Sequence, residues 1–450
     1  MAGLCGLSGL CGEPGIFATI GSTFDAQVGN ASSFIATWNT SATSAGSSNS
    51  VQVKFPFLSS GSYDLIVGWG DGTTSTIDAW NNANVTHTYD EAGTYRVVIT
   101  PLSGAITGWK FNNAGDKLKI GLVEQWGDLT FNDTAGFNGC GNLTSNATDS
   151  PSFAPGGSMF YIFGSCTKLN TGLENWNTTN VTDMTGAFIS CPAFNADLSS
   201  WDVSNVTTMY RMFENDNNFN RSLNTWNTAS LVNSVNMFYA ANKYNQPMTG
   251  WDMSGVTNMN NMFYAATAFA GNVSTWQLTS LQNAVAAFML CSNFNSSVDG
   301  WNTTDALVNC RQFFRACVKF NSTFSTWNTS KVTDFFEFCS QCTQFNSSVA
   351  GINTNKATTL ASMFPHCPSF NQDLSHFLIA NMTSAANMLV NTGFGTANYD
   401  LLLVSWEGQV EKTSVPFHAG GATYSAGAPA TARGVLVNTS SWTITDGGPA

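Results

Sequence analysis

Two residue patterns in this sequence carry reactive groups at regular spacing. The first is N-x-[ST], where a hydroxyl two residues downstream equips the asparagine amide nitrogen to accept an N-linked glycan. It occurs 18 times, at Asn30, Asn39, Asn84, Asn132, Asn142, Asn146, Asn177, Asn180, Asn205, Asn220, Asn272, Asn295, Asn302, Asn321, Asn328, Asn346, Asn381 and Asn438. A chain rich in Asn, Ser and Thr makes such triplets by chance, and Asn-Val-Thr at Asn180 and Asn205 also fits a purely structural repeat. At Asn220-Arg-Ser, Asn295-Ser-Ser, Asn321-Ser-Thr and Asn346-Ser-Ser, however, the hydroxyl is kept while the middle residue varies. That is the signature of an acceptor, and it implies N-linked glycans on a secreted or surface-exposed protein.

The second pattern is a column of cysteines: Cys140, Cys166, Cys191, Cys291, Cys317, Cys342 and Cys367, with Asp216, Ala241 and Ala266 holding its place in between. If successive units stack at strand spacing, these residues lie about 4.8 Å apart. Their Cα atoms then fall within disulfide range, but parallel side chains keep the Cβ atoms wider than a disulfide prefers. Buried free thiols acting as small apolar groups and inter-unit disulfides both remain open. Cys310 and Cys339 lie off the column and could bridge adjacent units. Cys5 and Cys11, in a Gly-rich lead, could close a small loop or cross-link to another chain. One isolated C-x-x-C, Cys339 to Cys342, is too little for zinc, and no metal or cofactor is expected.

Catalytic signatures are missing. The four histidines, His87, His366, His376 and His418, have no ligand partners at metal spacing. The Gly-Trp-Gly-Asp-Gly run sits in a strand-turn-strand setting rather than before a helix. Asp183, Asp197 and Asp202 read as turn residues and caps. The chain is expected not to be an enzyme.

These groups are positioned by a repeat. Trp176, Trp201, Trp226, Trp251, Trp276 and Trp301 are spaced 25 residues apart, Trp327 follows after 26, and Ile352 and Phe377 continue the column. A second column reads Phe194, Phe219, Tyr244, Phe269, Phe294, Phe320, Phe345 and Phe370. A period of this length marks a stack in which each unit buries its apolar face only against its neighbours. The extra residue between Trp301 and Phe314 reads as a bulge. Charged residues are only 10% of the 450, with 16 Lys+Arg against 28 Asp+Glu and a net charge of −12. That balance argues against nucleic acid and anionic membrane as partners. No apolar run is long enough to span a bilayer, and the first residues lack the basic start of a signal peptide.

In chain order, residues 1–18 form a Gly-rich segment that could serve as an assembly arm. Residues 19–103 alternate as short strands with turn signals, among them Asp71-Gly72, and predict a β-sandwich. Residues 104–391 carry the repeat. Residues 392–450 close it as a small α/β cap, with Tyr399, Leu402, Leu403 and Trp406 on one helix face.

WGDGTTST followed by THTYDEAGTYRVVI resembles the polycystic-kidney-disease-type (PKD) domain, whose signature runs W-x-F-G-D-G…H-x-Y…G-x-Y-x-V; Trp69 stands where that signature has Phe. NNAGDKLKIGLVEQWGDLTF, the 25-residue units and the ending WTITDGG together resemble the BspA-like surface proteins with leucine-rich-repeat-like units. Their F-N-Q-D-[LI]-S survives at Phe370–Ser375, while Asn-Ser-Ser replaces it in other units, a departure that suits a glycosylating host. The resemblance implies a mainly β chain: a PKD/Ig-like sandwich, then a right-handed LRR-like solenoid of 25-residue coils, then the cap. It implies surface attachment or adhesion at an extracellular or cell-surface location. The expectation is a non-enzymatic extracellular glycoprotein that self-associates into a surface fibril or layer. The alternative is a monomeric adhesin binding a host or matrix protein or glycan through the solenoid face, marked by an aromatic or polar patch free of glycan. A Gly-rich lead and a TDGGPA tail fray unless held, so ordered ends would point to a neighbouring subunit.

Overall fold

The computed structural model describes residues 25–132, 134–409 and 412–450. Cys5, Cys11 and the 1–18 segment lie outside them. The described residues are mainly β, with few helices and no closed barrel among them.

The N-terminal part folds from short alternating strands: β1 (Phe34–Asn39), β2 (Gln52–Lys54), β3 (Leu65–Gly68), β4 (Thr74–Ile77), β5 (Thr86–Thr88) and β6 (Thr94–Pro101). β3 and β4 make the hairpin around Asp71-Gly72, β6 pairs antiparallel with both β3 and β1, and β2 pairs with β5 as a separate two-stranded sheet. Inward residues of both sheets pack Trp38, Phe55, Trp69 and Trp109 into one aromatic core. Beneath it Lys119 is fully buried, and its ammonium donates to the carbonyls of Ser48, Asn49 and Gln52 at 2.8–3.0 Å. Asp116 takes the Ser48 and Lys54 N–H groups at 2.7 Å, so the two charges staple the loop before β2.

The main sheet does not stop at residue 103. β7 (Ile120–Gln125) pairs with β1, and β9 (Thr144–Ser145) continues parallel to β7, giving the order β4-β3-β6-β1-β7-β9. Between them lies β8 (Thr130–Phe131), parallel to β10 (Ser152–Phe153). β11 (Gly157–Ser158) and β12 (Val181–Asp183) then begin a parallel ladder. It runs Asp183, Thr208, Asn233, Asn258, Asn283, Asn309, Asp334, Thr359, Ser384, one residue per coil. The residue inserted after Trp301 is absorbed in the turn before Leu307, ahead of ladder residue Asn309, and makes no β-bulge.

Each coil turns by alternating hydrogen bonds. In one coil Met209, Arg211, Phe213 and Asn215 donate forward to Asn233, Val235, Met237 and Tyr239 of the next, whereas Met212, Glu214 and Asp216 fold back three residues. This alternation needs two left-handed residues per coil, four apart: Arg211 and Asn215, Asn236 and Ala240, Asn261 and Ala265, and so on to Asn387 and Asn391. Among the pairs that precede Arg211, Gly139 and Gly186 are glycines. The others each cost on the order of 1 kcal/mol, which the forward bonds offset.

The tryptophan column is fixed by its N–H. The indoles of Trp201, Trp226, Trp251, Trp276, Trp301 and Trp327 each donate, at 2.9 Å, to a carbonyl of the preceding coil, from Leu173 through Val298. Phe377 has no such donor, and His376 beside it places Nε2 3.1 Å from the Val349 carbonyl, in the corresponding position. Trp176, first in the column, has an unpaired N–H.

The cap consists of α1 (Thr396–Glu407), β13 (Pro416–His418), α2 (Ala428–Asn438) and β14 (Thr443–Thr445). α1 buries Tyr399, Leu402, Leu403 and Trp406 over the last coil, and β13 pairs parallel with β14. The TDGGPA tail is held by its own chain: Gly447 and Ala450 donate to Ala422 and Tyr424, and Tyr424 to Gly448. No neighbouring subunit is needed to order it.

Trp251→Phe removes one indole bond and some ring volume. It is expected to lower stability by about 1–3 kcal/mol, seen as a lower urea midpoint. An unchanged midpoint would show that the indole bonds do not hold the stack.

Candidate functional site

The candidate acceptor asparagines fall on a few coil positions. Asn177, Asn302 and Asn328 directly follow a column tryptophan; Asn180, Asn205 and Asn381 lie four residues past a column residue; Asn220, Asn295, Asn321 and Asn346 follow the second aromatic. Fifteen of the 18 are exposed, and Asn142, Asn220 and Asn381 are half-buried. At Asn30, Asn39, Asn177, Asn272 and Asn328 the side-chain oxygen accepts the N–H of the hydroxyl residue two positions on.

The asparagines after the second aromatic have a structural role as well. The oxygens of Asn195, Asn220, Asn295, Asn321 and Asn346 accept the N–H one coil ahead at 2.8–3.0 Å. Glycosylation substitutes the nitrogen and leaves that oxygen in place, so ladder and glycan are compatible. By contrast Asn84, Asn142, Asn180, Asn205 and Asn381 already commit an amide hydrogen to a backbone carbonyl.

All nine described cysteines are free and buried. The bridge left open for Cys310 and Cys339 is not formed. Six of the column thiols lie 2.8–3.2 Å from a carbonyl of the preceding coil: Cys166, Cys191, Cys291, Cys317, Cys342 and Cys367. Burial pushes the thiols of Cys166, Cys191, Cys291, Cys317 and Cys367 up and keeps them protonated, so they act as donors in the same sense as the indoles. Asp216, in the same column, is wholly buried. One of its oxygens accepts the Cys191 N–H at 2.6 Å and the other has no partner. Burial raises its pKa well above the ordinary 3.8, against the pull of that bond.

The remaining titratable groups serve turns. Asp183, Asp197 and Asp202 each accept an N–H two residues on, and bonds from Ser199 and Ser204 hold Asp197 and Asp202 below the usual carboxylate range. His87 stacks on Trp69 and meets Asp71 at 2.7 Å. Tyr89 stacks on Tyr95 and donates to the Trp69 carbonyl. Among the described residues no group of three or more His, Cys, Asp or Glu is placed to hold a metal ion, and no helix is long and apolar enough to cross a membrane.

The ladder segment of each coil, 207–215 and its counterparts from 182 to 391, contains no sequon asparagine. Asn180, Asn205 and Asn381 each stand two residues before such a segment. This face carries three of the arginines, with carboxylate partners, and three partly exposed tyrosines. Arg211 is clamped by both oxygens of Glu214 at 2.6 and 2.9 Å. Arg311 pairs with Asp334 and lies over Phe336, and Arg315 faces Glu337. Tyr239 and Tyr264, one coil apart, stack at 4.7 Å and 2°. Below them Asn261 donates to Asn236 at 3.1 Å. These residues give no sustained repeat signal in the sequence, because the residue type at their positions changes along the stack while the flanking columns stay fixed.

Fold and site together define a mainly β protein of stacked 25-residue coils with one sequon-free face. The family described as "Mycoplasma protein of unknown function, DUF285" matches residues 157–276, 245–325 and 279–401, which together cover the coils from Gly157 to the first turns of α1. They span more than half of the chain, which belongs to this family. No curated protein and no solved structure matches it.

Because the unfolded chain ionises Asp216 more readily than the folded one, its contribution to stability is full below pH 3.8 and falls as pH rises. Asp216→Cys, restoring the column residue, is expected to stabilise the protein at pH 7 by about 1–3 kcal/mol, with the gain shrinking towards pH 4. Equal melting temperatures at pH 7 would contradict this. A Cys5→Ser/Cys11→Ser variant should show no thiol reactive to a disulfide reagent when folded and nine in denaturant. Fewer in denaturant would reveal a disulfide.

Proposed function

We propose that this chain is a non-enzymatic, N-glycosylated extracellular protein that recognises a partner through the sequon-free ladder face. The observation that carries this reading is the segregation of two surfaces. Sequons occupy the tryptophan and second-aromatic edges of the coils, whereas the half-exposed tyrosines and paired arginines lie on the face between, where no glycan would obstruct them. The order of a PKD-like sandwich, an LRR-like solenoid and a cap is part of the same proposal. It is supported by the Trp69, Asp71, His87, Tyr89 and Tyr95 cluster and by the one-residue-per-coil ladder. The resemblance to BspA-like proteins agrees in pointing to a surface role.

The polymer reading has less support. The tail it invoked is tied to its own chain, and the arm lies outside the described residues. A patch free of sequons is the feature expected of a binding protein instead.

Secretion from a glycosylating host and glycopeptide mass spectrometry test the proposal. Glycans are expected at the exposed sites whose amide nitrogen makes no bond, such as Asn177, Asn302, Asn328, Asn295, Asn321 and Asn346, with lower occupancy at Asn142 and Asn381. A fully unglycosylated product, or glycans concentrated at Asn142 and Asn381, would overturn it.

A further inference from the structure

We propose that the ladder face between Tyr210 and Tyr264 binds an uncharged, extended polysaccharide lying along the stack. This rests on the reading of that face as a recognition surface and names its ligand class.

The first ground is pitch. Tyr239 and Tyr264 repeat one chemical group at a 4.7 Å step with nearly parallel rings, and Asn236 and Asn261 repeat an amide at the same one-coil step. Asn233, Asn258 and Asn283 form a third row in the ladder itself. The first two of these use their oxygens to cap the N–H of Val235 and Asn260, which leaves the amide nitrogens for a ligand. Across these two coils, a ligand running along the face meets the same ring edge and amide at each step. An extended peptide advances about 3.3–3.4 Å per residue and falls out of step within two rows. A linear chain of pyranose units advances by close to one row per sugar.

The second ground is chemistry. Neither Tyr239 nor Tyr264 spends its hydroxyl on a bond within the chain, so both ring edges and hydroxyls are available. Tyrosine, asparagine and a rigid arginine–carboxylate pair together supply apolar ring surface and donors and acceptors at fixed positions, which is what hydroxyl-rich sugars require. The third ground is charge. Arg211 is bound by both oxygens of Glu214, with Asn236 on the same carboxylate at 3.4 Å. No free cation remains in this part of the face to select a sulfate, phosphate or uronate. The rows also lie clear of the sequons, so the protein's own glycans do not compete for them.

The test is co-sedimentation of the full glycosylated chain with microcrystalline cellulose and with chitin, beside heparin beads as an anionic probe and gelatin beads as a protein probe. The wild type is expected to sediment with cellulose or chitin. Tyr239→Ala/Tyr264→Ala should weaken that binding at least tenfold. Tyr239→Phe/Tyr264→Phe, which keeps the stacked rings and the fold, should weaken it severalfold. Failure to bind either polysaccharide, or binding unchanged in the Phe pair and the Ala pair alike, overturns the proposal. Binding to heparin or gelatin that the same substitutions abolish would reject the uncharged polysaccharide and retain the face. Binding to any probe that neither pair affects would reject the face as well.

Discussion

A single coil of this protein cannot satisfy its own polar groups, and the structure follows from that constraint. Each turn of 25 residues is too short to pair its N–H groups internally, so alternate donors reach the next coil. The side chains obey the same rule. Indole N–H, thiol S–H and asparagine oxygen each find their partner in an adjacent coil. An unpaired buried donor costs about 1–3 kcal/mol, so the columns select residues that aim a donor at one particular carbonyl. This explains why histidine can serve beside Phe377 and why a buried aspartate in the cysteine column is an anomaly. Because β7 and β9 carry the first sheet into the first coils, the N-terminal part acts as a template that supplies the stack with its first paired edge.

The constraint also sorts the surface. A fixed period sends each position of the coil to one side for the whole length of the stack, so a sequon at a repeated position becomes a row of sequons along one edge. Positions that must bond to the adjacent coil admit little variation. The ladder positions bond through the backbone, so their side chains are free to differ, and there the chain places Tyr210, Tyr239, Tyr264 and three of the arginines. In the proposed function, recognition falls to the surface that the folding requirement leaves unspecified.

Much of this was legible in the sequence. Trp176 to Trp327 gave the period, the alternation in Phe34–Asn39 and Thr94–Pro101 gave the paired strands, and the spacing of Tyr399, Leu402, Leu403 and Trp406 gave the capping helix. Other features left no such trace. The left-handed positions are occupied by Arg, Asn, Ala, Leu and Ser rather than glycine, because inter-coil bonds impose that backbone against local preference. β7, IGLVEQ, was hidden because its partner β1 lies far away in the chain, a pairing that no local pattern marks. The thiol bonds were not visible because spacing alone cannot distinguish a donor to a carbonyl from half of a disulfide. The ladder face was missed for the opposite reason to the columns: its residues are notable only for departing from the repeat.

The most direct test of the proposed function is hydroxyl-radical footprinting of the protein secreted from a glycosylating host, free in solution and in place on the polysaccharide proposed as its ligand. The account predicts protection of Tyr210, Tyr239 and Tyr264 in place, with reactivity along the sequon-bearing edges unchanged. Protection confined to those edges, or no protection of the three tyrosines, would contradict it.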